Sequence, residues 1–124
     1  MRDKYLAYWS TVAKRLSSNN YVVGFDPFNE PGPAWHGFAQ AIYELTMGHF
    51  DSSELAPLYS DVFKKYMEVD QQSIMWFEPA GFPDVLPFGK SGVVLKSGFK
   101  TPPGGQIGST HHVLNEHTYC CNLG

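Results

Sequence analysis

Residues 21–31 read YVVGFDPFNEP, and residues 74–79 read IMWFEP. Each is a nearly unbroken apolar run that stops at a glutamate followed by a proline. Such runs predict strands over 21–25 and 74–77 that are covered on both faces, the pattern of a parallel sheet. In parallel α/β folds the chemistry collects at the carboxyl ends of strands, and Glu30 and Glu78 both stand there.

The segments around these strands alternate with them. Over residues 3–18, Tyr5, Tyr8, Trp9, Val12, Ala13 and Leu16 fall on one helical stripe. Lys14 and Arg15 lie near its end, where the helix dipole favours positive charge, and Ser17, Ser18, Asn19 and Asn20 break it. A second helix is predicted from about Ser53. Leu55, Leu58, Tyr59, Val62, Phe63, Tyr66 and Met67 form its apolar stripe, and Pro57 sits in the first turn, where proline is tolerated. Residues 35–47 lie in a long connection that holds a short helix. Residues 80–109 are rich in glycine and proline, with one apolar patch at Val93, Val94 and Leu95, and TPPGGQIGS (101–109) reads only as loop. A last strand is predicted over 112–121. The order helix, strand, helix, strand, loop, strand implies an α/β fold with a parallel sheet. Three strands do not close a barrel. A (β/α)8 barrel takes roughly 250 residues, so 124 residues supply about half of one. The chain therefore reads as one fragment, residues 1–124, of a TIM-barrel domain, with an independent small α/β domain as the rival.

Composition narrows the function. The 124 residues are 43% hydrophobic and 15% aromatic, a globular composition whose aromatic share suits sugar or lipid stacking as well as a core. A net charge of −3 without a basic patch gives no reason to expect nucleic acid as a partner. No run is long enough to cross a membrane, and the first sixteen residues do not read as a secretory signal. Cys120 and Cys121 are adjacent, without metal spacing, and read as structural thiols or as one cysteine whose partner lies elsewhere. His111 and His112 have no third ligand spaced for a metal.

A carboxyl group on an apolar strand tip is partly desolvated, which favours its protonated form and suits it to general acid catalysis. Glu30 answers that description, and Asn29 beside it offers both donor and acceptor to a polar ligand. The bland reading of Glu30 is a carboxylate satisfied by local backbone or a lysine. In the last strand, Asn115, His117 and Tyr119 share one face, and Leu114, Glu116, Thr118 and Cys120 the other. A tyrosine hydroxyl there can hold a carboxylate, and a histidine can bind a sugar hydroxyl, although a buried pair used for packing fits as well.

GFDPFNEP (24–31) resembles the Asn-Glu-Pro segment of glycoside hydrolase family 5, a family of retaining (β/α)8 enzymes. Downstream, FDSSELAPLYSDVFKKYMEVDQQSIMWFEPAGF (50–82) is similar to the helix and fifth strand of its endoglycoceramidase and glucosylceramidase subgroup. GFKTPPGG (98–105) resembles a Pro-Gly-Gly loop, and HVLNEHTYC (112–120) the sixth strand of the same enzymes. The matches run in the same order over nearly the whole chain. The resemblance implies strands four to six of the barrel, with Glu30 as acid/base and Asn29 as a sugar ligand. It also implies His117 and Tyr119 in the active site, Glu78 lining the cleft or pairing with a basic residue, and Trp35 and His36 in a loop over the site. Glu116 is a poor second carboxylate, because it lies on the wrong face and the family's residue there is aromatic. The resemblance places the nucleophile on a seventh strand, beyond residue 124, and strands one to three before residue 1. It implies hydrolysis of the glycan–ceramide bond of glycosphingolipids with a glycolipid or oligosaccharide substrate, no cofactor and no metal, in an enzyme of a family often secreted. A β-glucanase of the same family and a truncated, non-catalytic sugar- or lipid-binding half-barrel are the alternatives.

Overall fold

The computed structural model describes residues 1–33, 40, 43, 48–80 and 97–115. Helix α1, Arg2–Leu16, leads to strand β1, Gly24–Phe25. A π-helical turn, Asp51–Leu55, runs directly into helix α2, Ala56–Met67. Strands β2, Ile74–Phe77, and β3, His112–Leu114, complete the described elements. The sheet is parallel with the order β1-β2-β3, so neighbours in sequence are neighbours in space. That order is the one a barrel repeats around its circumference.

The first strand is shorter than the sequence predicts, and the reason is local. Asn19 accepts the Tyr21 N–H on its side chain at 3.0 Å and the Val22 N–H on its carbonyl at 2.9 Å. Those two donors are spent in the turn, so the ladder begins only at the Val23 carbonyl, which takes the Ile74 N–H at 3.0 Å. Tyr21 and Val23 are 96% and 67% exposed, so this run is not covered on both faces. Gly24 permits close approach of β1 to β2: a Cβ at that position would lie 2.1 Å from the Ile74 carbonyl oxygen.

Register assigns each strand residue a side. Phe25, Met75 and Phe77 are buried toward the helices, where they meet Tyr59, Val62, Phe63 and Tyr66 of α2. Ile74 and Trp76 are half-buried on the opposite face. From α1, Ala13 is buried and Tyr5, Leu6, Trp9, Val12 and Leu16 pack on this core, whereas Tyr8, expected in the stripe, is 59% exposed. The stripe predicted for α2 is present, with Leu58 and Met67 at its half-buried margins. The two helices touch through the Trp9 and Tyr66 rings, 6.0 Å apart, and through the Arg2–Asp61 ion pair at their solvent edge.

Two buried carboxylates secure the connections. Asp51, 1% exposed, accepts the Ala80 N–H at 2.7 Å and the Gly98 N–H at 2.8 Å, clasping both ends of the segment between β2 and residue 98. Burial raises its carboxyl above the ordinary range, against the lowering effect of those two bonds. Asp70 accepts the Ser73 hydroxyl at 2.6 Å and the Gln72 and Ser73 N–H groups, which starts β2. Its burial is outweighed by these three bonds, and its carboxyl is held below the ordinary range.

Two tyrosines of α2 make opposite predictions. Both are fully buried. The Tyr59 hydroxyl accepts the Glu78 N–H at 2.9 Å, while the Tyr66 hydroxyl has no hydrogen-bond partner among the described residues. Tyr59→Phe should destabilise the protein by about 1–3 kcal/mol, because it orphans a buried N–H. Tyr66→Phe should be neutral or stabilising. Denaturant unfolding of the two variants side by side checks the difference in sign.

Candidate active site

The segment after β1 is fixed before it reaches Glu30. Pro27 is buried, and its carbonyl accepts the Tyr5 hydroxyl. Phe28 stacks on Tyr5 with ring centres 4.9 Å apart and meets the edge of Tyr59 at 5.1 Å. Two residues on, Glu30 has φ of 48°, the left-handed region that residues with a side chain seldom occupy. Its N–H donates to Oε2 of Glu78 at 2.7 Å. Glu30 itself is half-buried, and Asn29 is exposed.

Glu78 stands one residue past the end of β2, with the same parity as Trp76 and therefore on the face away from the helices. It is 3% exposed. Its second oxygen, Oε1, accepts the Asn115 Nδ2 amide at 3.1 Å, and that amide also donates to Asp26 at 2.9 Å. Asp26 and Asn115 likewise stand one residue past β1 and β3, and parity puts them on this same face. The Asn115 N–H extends the ladder by donating to the Phe77 carbonyl at 2.9 Å. The first residues beyond three adjacent strands thus form one polar cluster at the carboxyl edge of the sheet, with the Glu30 backbone tied to its centre.

Among the candidates from sequence, Glu30 and Glu78 are brought together here, with Asn29 adjacent. Trp35, His36, Glu116, His117, Tyr119, Cys120 and Cys121 lie outside the described residues, as do the apolar patch at Val93, Val94 and Leu95 and the continuation of the last strand beyond residue 115. Sequence reasoning gave no role to Asp26, placed Tyr59 only in the apolar stripe of α2, and put Asn115 on the face of His117 and Tyr119 without a partner. A signal for Asp26 and Asn115 was present: GF-Asp, WF-Glu and VL-Asn are the same apolar-then-polar step at three strand ends.

His112 has a structural environment. Its Nε2 lies 2.9 Å from the Pro103 carbonyl, which can only accept, so Nε2 carries the proton and Nδ1 accepts the Ser109 hydroxyl at 2.7 Å. The ring packs on Phe63 with centres 4.2 Å apart. It also lies against Gly105, where a Cβ would come within 2.6 Å of its Cε1 atom. The Pro-Gly-Gly loop is thereby fastened to β3. Among the described residues no three His, Cys, Asp or Glu side chains are grouped to hold a metal ion, and no helix is long and apolar enough to cross a membrane.

The three-stranded parallel sheet is consistent with part of a TIM barrel, and the solved structures it resembles are TIM-barrel glycosidases. Among solved structures the chain is similar to endo-glycoceramidase II from Rhodococcus sp. in complex with ganglioside GM3. The identity is 25% and the TM-score 0.67, over 95% of this chain and 23% of that one. The same enzyme with a cellobiose-like isofagomine matches at 24% identity and TM-score 0.67, over 95% and 23% of the two chains. Its lactosyl-enzyme intermediate matches at 23% and 0.67, over 95% and 24%. The chain therefore spans about a quarter of the length of the structures it matches. No protein-family model and no curated protein matches it.

Burial lowers the pKa of His112 below its ordinary 6.5. The folded state thus holds the neutral ring while the unfolded chain takes up a proton as pH falls through 6.5. Stability from this group is complete above that value and is lost as pH drops through the folded pKa. The thermal midpoint should fall between pH 7.5 and pH 5.5, and His112→Gln should flatten that part of the profile.

Proposed function

We propose that this chain is the central part of a retaining β-glycosidase barrel that hydrolyses the glycan–ceramide linkage of glycosphingolipids. Glu30 is the acid/base. In the first step it gives its proton to the glycosidic oxygen as that oxygen leaves the anomeric carbon with the bonding electrons. A second carboxylate, contributed by a part of the barrel outside these residues, forms the new bond to that carbon. The aglycone departs as an alcohol. Glu30, now ionised, then takes a proton from water, and the resulting attack on the anomeric carbon frees the sugar and the nucleophile. Asn29, with His117 and Tyr119 from the sixth strand of the resemblance and Trp35 from the loop over the site, serves sugar and aglycone, and Glu78 belongs to the floor of the site.

The observation that carries this reading is the position of Glu30. It stands at the carboxyl edge of the sheet, tied by its own backbone to the polar cluster, in a chain whose fold follows endo-glycoceramidase II over 95% of its length. The ganglioside complex of that enzyme favours a glycolipid as substrate here. Two carboxylates about 5–5.5 Å apart complete the retaining mechanism, so no metal or organic cofactor is required.

The test uses the full-length protein. Glu30→Gln should lower release of sugar from glucosylceramide or a ganglioside by about 10²–10⁴-fold, the contribution of a positioned general acid. Retention of most of the activity overturns the assignment. A soluble β-glucan cleaved in preference to either lipid would redirect the substrate to polysaccharide.

A further inference from the structure

The geometry points to Glu78 as the residue that positions the acid, and neither as a second reacting carboxylate nor as a sugar ligand. This rests on the reading of Glu30 as acid/base. Glu78 is 3% exposed, which leaves almost none of its surface for a substrate. Each carboxylate oxygen receives a hydrogen bond from an N–H group: Oε2 from the Glu30 backbone at 2.7 Å and Oε1 from Asn115 at 3.1 Å. A nucleophile needs a lone pair aimed at the anomeric carbon and a path to it, whereas this carboxylate is turned toward the backbone that carries the acid. Its own backbone N–H is fixed by the Tyr59 hydroxyl at 2.9 Å. The grip thus runs from the core of α2, through the end of β2, to residue 30.

What Glu78 holds is an uncommon backbone state. Glu30 is the one residue other than glycine with positive φ among the described residues, and it precedes Pro31, which narrows its choices further. Such a conformation persists only where the surroundings over-determine it. A buried carboxyl oxygen 2.7 Å from the Glu30 N–H, on a side chain also held by Asn115, supplies such a constraint. Releasing it lets the residue relax, and the carboxyl group moves off the line of the leaving oxygen. Glutamine at 78 cannot substitute. The Glu30 N–H and the Asn115 amide are both donors, so glutamine can accept from only one of them and turns its NH₂ toward the other.

Leaving-group dependence separates the roles. A general acid matters for an alcohol leaving group and little for 2,4-dinitrophenolate, while a nucleophile is needed by both. Full-length Glu78→Gln should lose about 10²-fold in kcat/KM on lactosylceramide, the effect of a small misplacement of a catalytic group. On 2,4-dinitrophenyl β-lactoside it should keep kcat/KM within a few-fold of wild type. Equal losses on both substrates, or no loss on either, overturn the proposal. Glu30→Gln, run in parallel, should show the same selectivity. Should Glu30→Gln lack it, the acid/base reading itself fails. Should Glu30→Gln have it and Glu78→Gln lack it, only the positioning role fails. If Glu78→Gln does not fold, Asn115→Ala decides. It removes one donor at the sheet edge and should give the same selectivity at smaller size, and an unselective Asn115→Ala overturns the proposal. A polarity-inverted pair, Glu78→Gln with Asp26→Asn, lets a rotated Asn115 accept from both amides. It should recover part of the loss on the lipid, and no recovery where Glu78→Gln alone folds counts against the network.

Discussion

The carboxylate of Glu78 is the point on which the described structure turns. It lies at the end of the middle strand, almost without exposure, and a buried carboxyl group is costly there unless its polar atoms find partners. Two of its partners come from the segment after β1 and from the end of β3, so one side chain ties both neighbours of β2. The Glu78 N–H adds a third attachment through Tyr59, whose ring is packed between Phe28 and Phe77. Helix, sheet and both strand-end segments are thereby held to one residue.

Around that point the molecule divides by chemistry. The helix side of the sheet is aromatic, with Trp9, Phe25, Tyr59, Tyr66, Phe77 and Phe99 in edge or tilted contact. Such contacts add about 0.5–1.5 kcal/mol per pair beyond area and set the angle at which each ring sits. The opposite face ends in Asp26, Glu78 and Asn115. Rigidity is supplied from one side and polar groups are presented on the other, each on the first residue beyond a strand. Asp51 extends the same logic to the connection after β2, because a single carboxylate closes both of its ends.

Much of this was legible in the residues themselves. The apolar runs located β1 and β2, the stripe of α2 gave its buried side, and the glutamate-proline endings marked the edge where carboxylates gather. The misses have specific causes. β1 lost its first residues because Asn19 captured two N–H groups, a competition that hydrophobic pattern does not register. Tyr8 fits the helical spacing of its stripe yet lies at the stripe's margin, where an aromatic ring can point either way. The partnership of Glu78 with Glu30 spans 48 positions, and no local rule pairs a side chain with a backbone N–H so far away. His112 read as the first residue of the last strand, and its contact with Gly105 seven positions earlier was not visible in that reading.

The left-handed Glu30 bears on function in its own right. A residue with a Cβ in that region carries strain of about 1–3 kcal/mol, and glycine there would remove it. Glycine, however, brings no carboxyl group. The sequence instead keeps an acid at the strained position and a buried acceptor aimed at its N–H. One surface glutamate in an unusual conformation is explicable as a turn. A strained glutamate tied to a second, buried glutamate at the carboxyl edge of a parallel sheet is explicable as a group whose direction matters. Direction matters most where a proton must be delivered along one line to one oxygen.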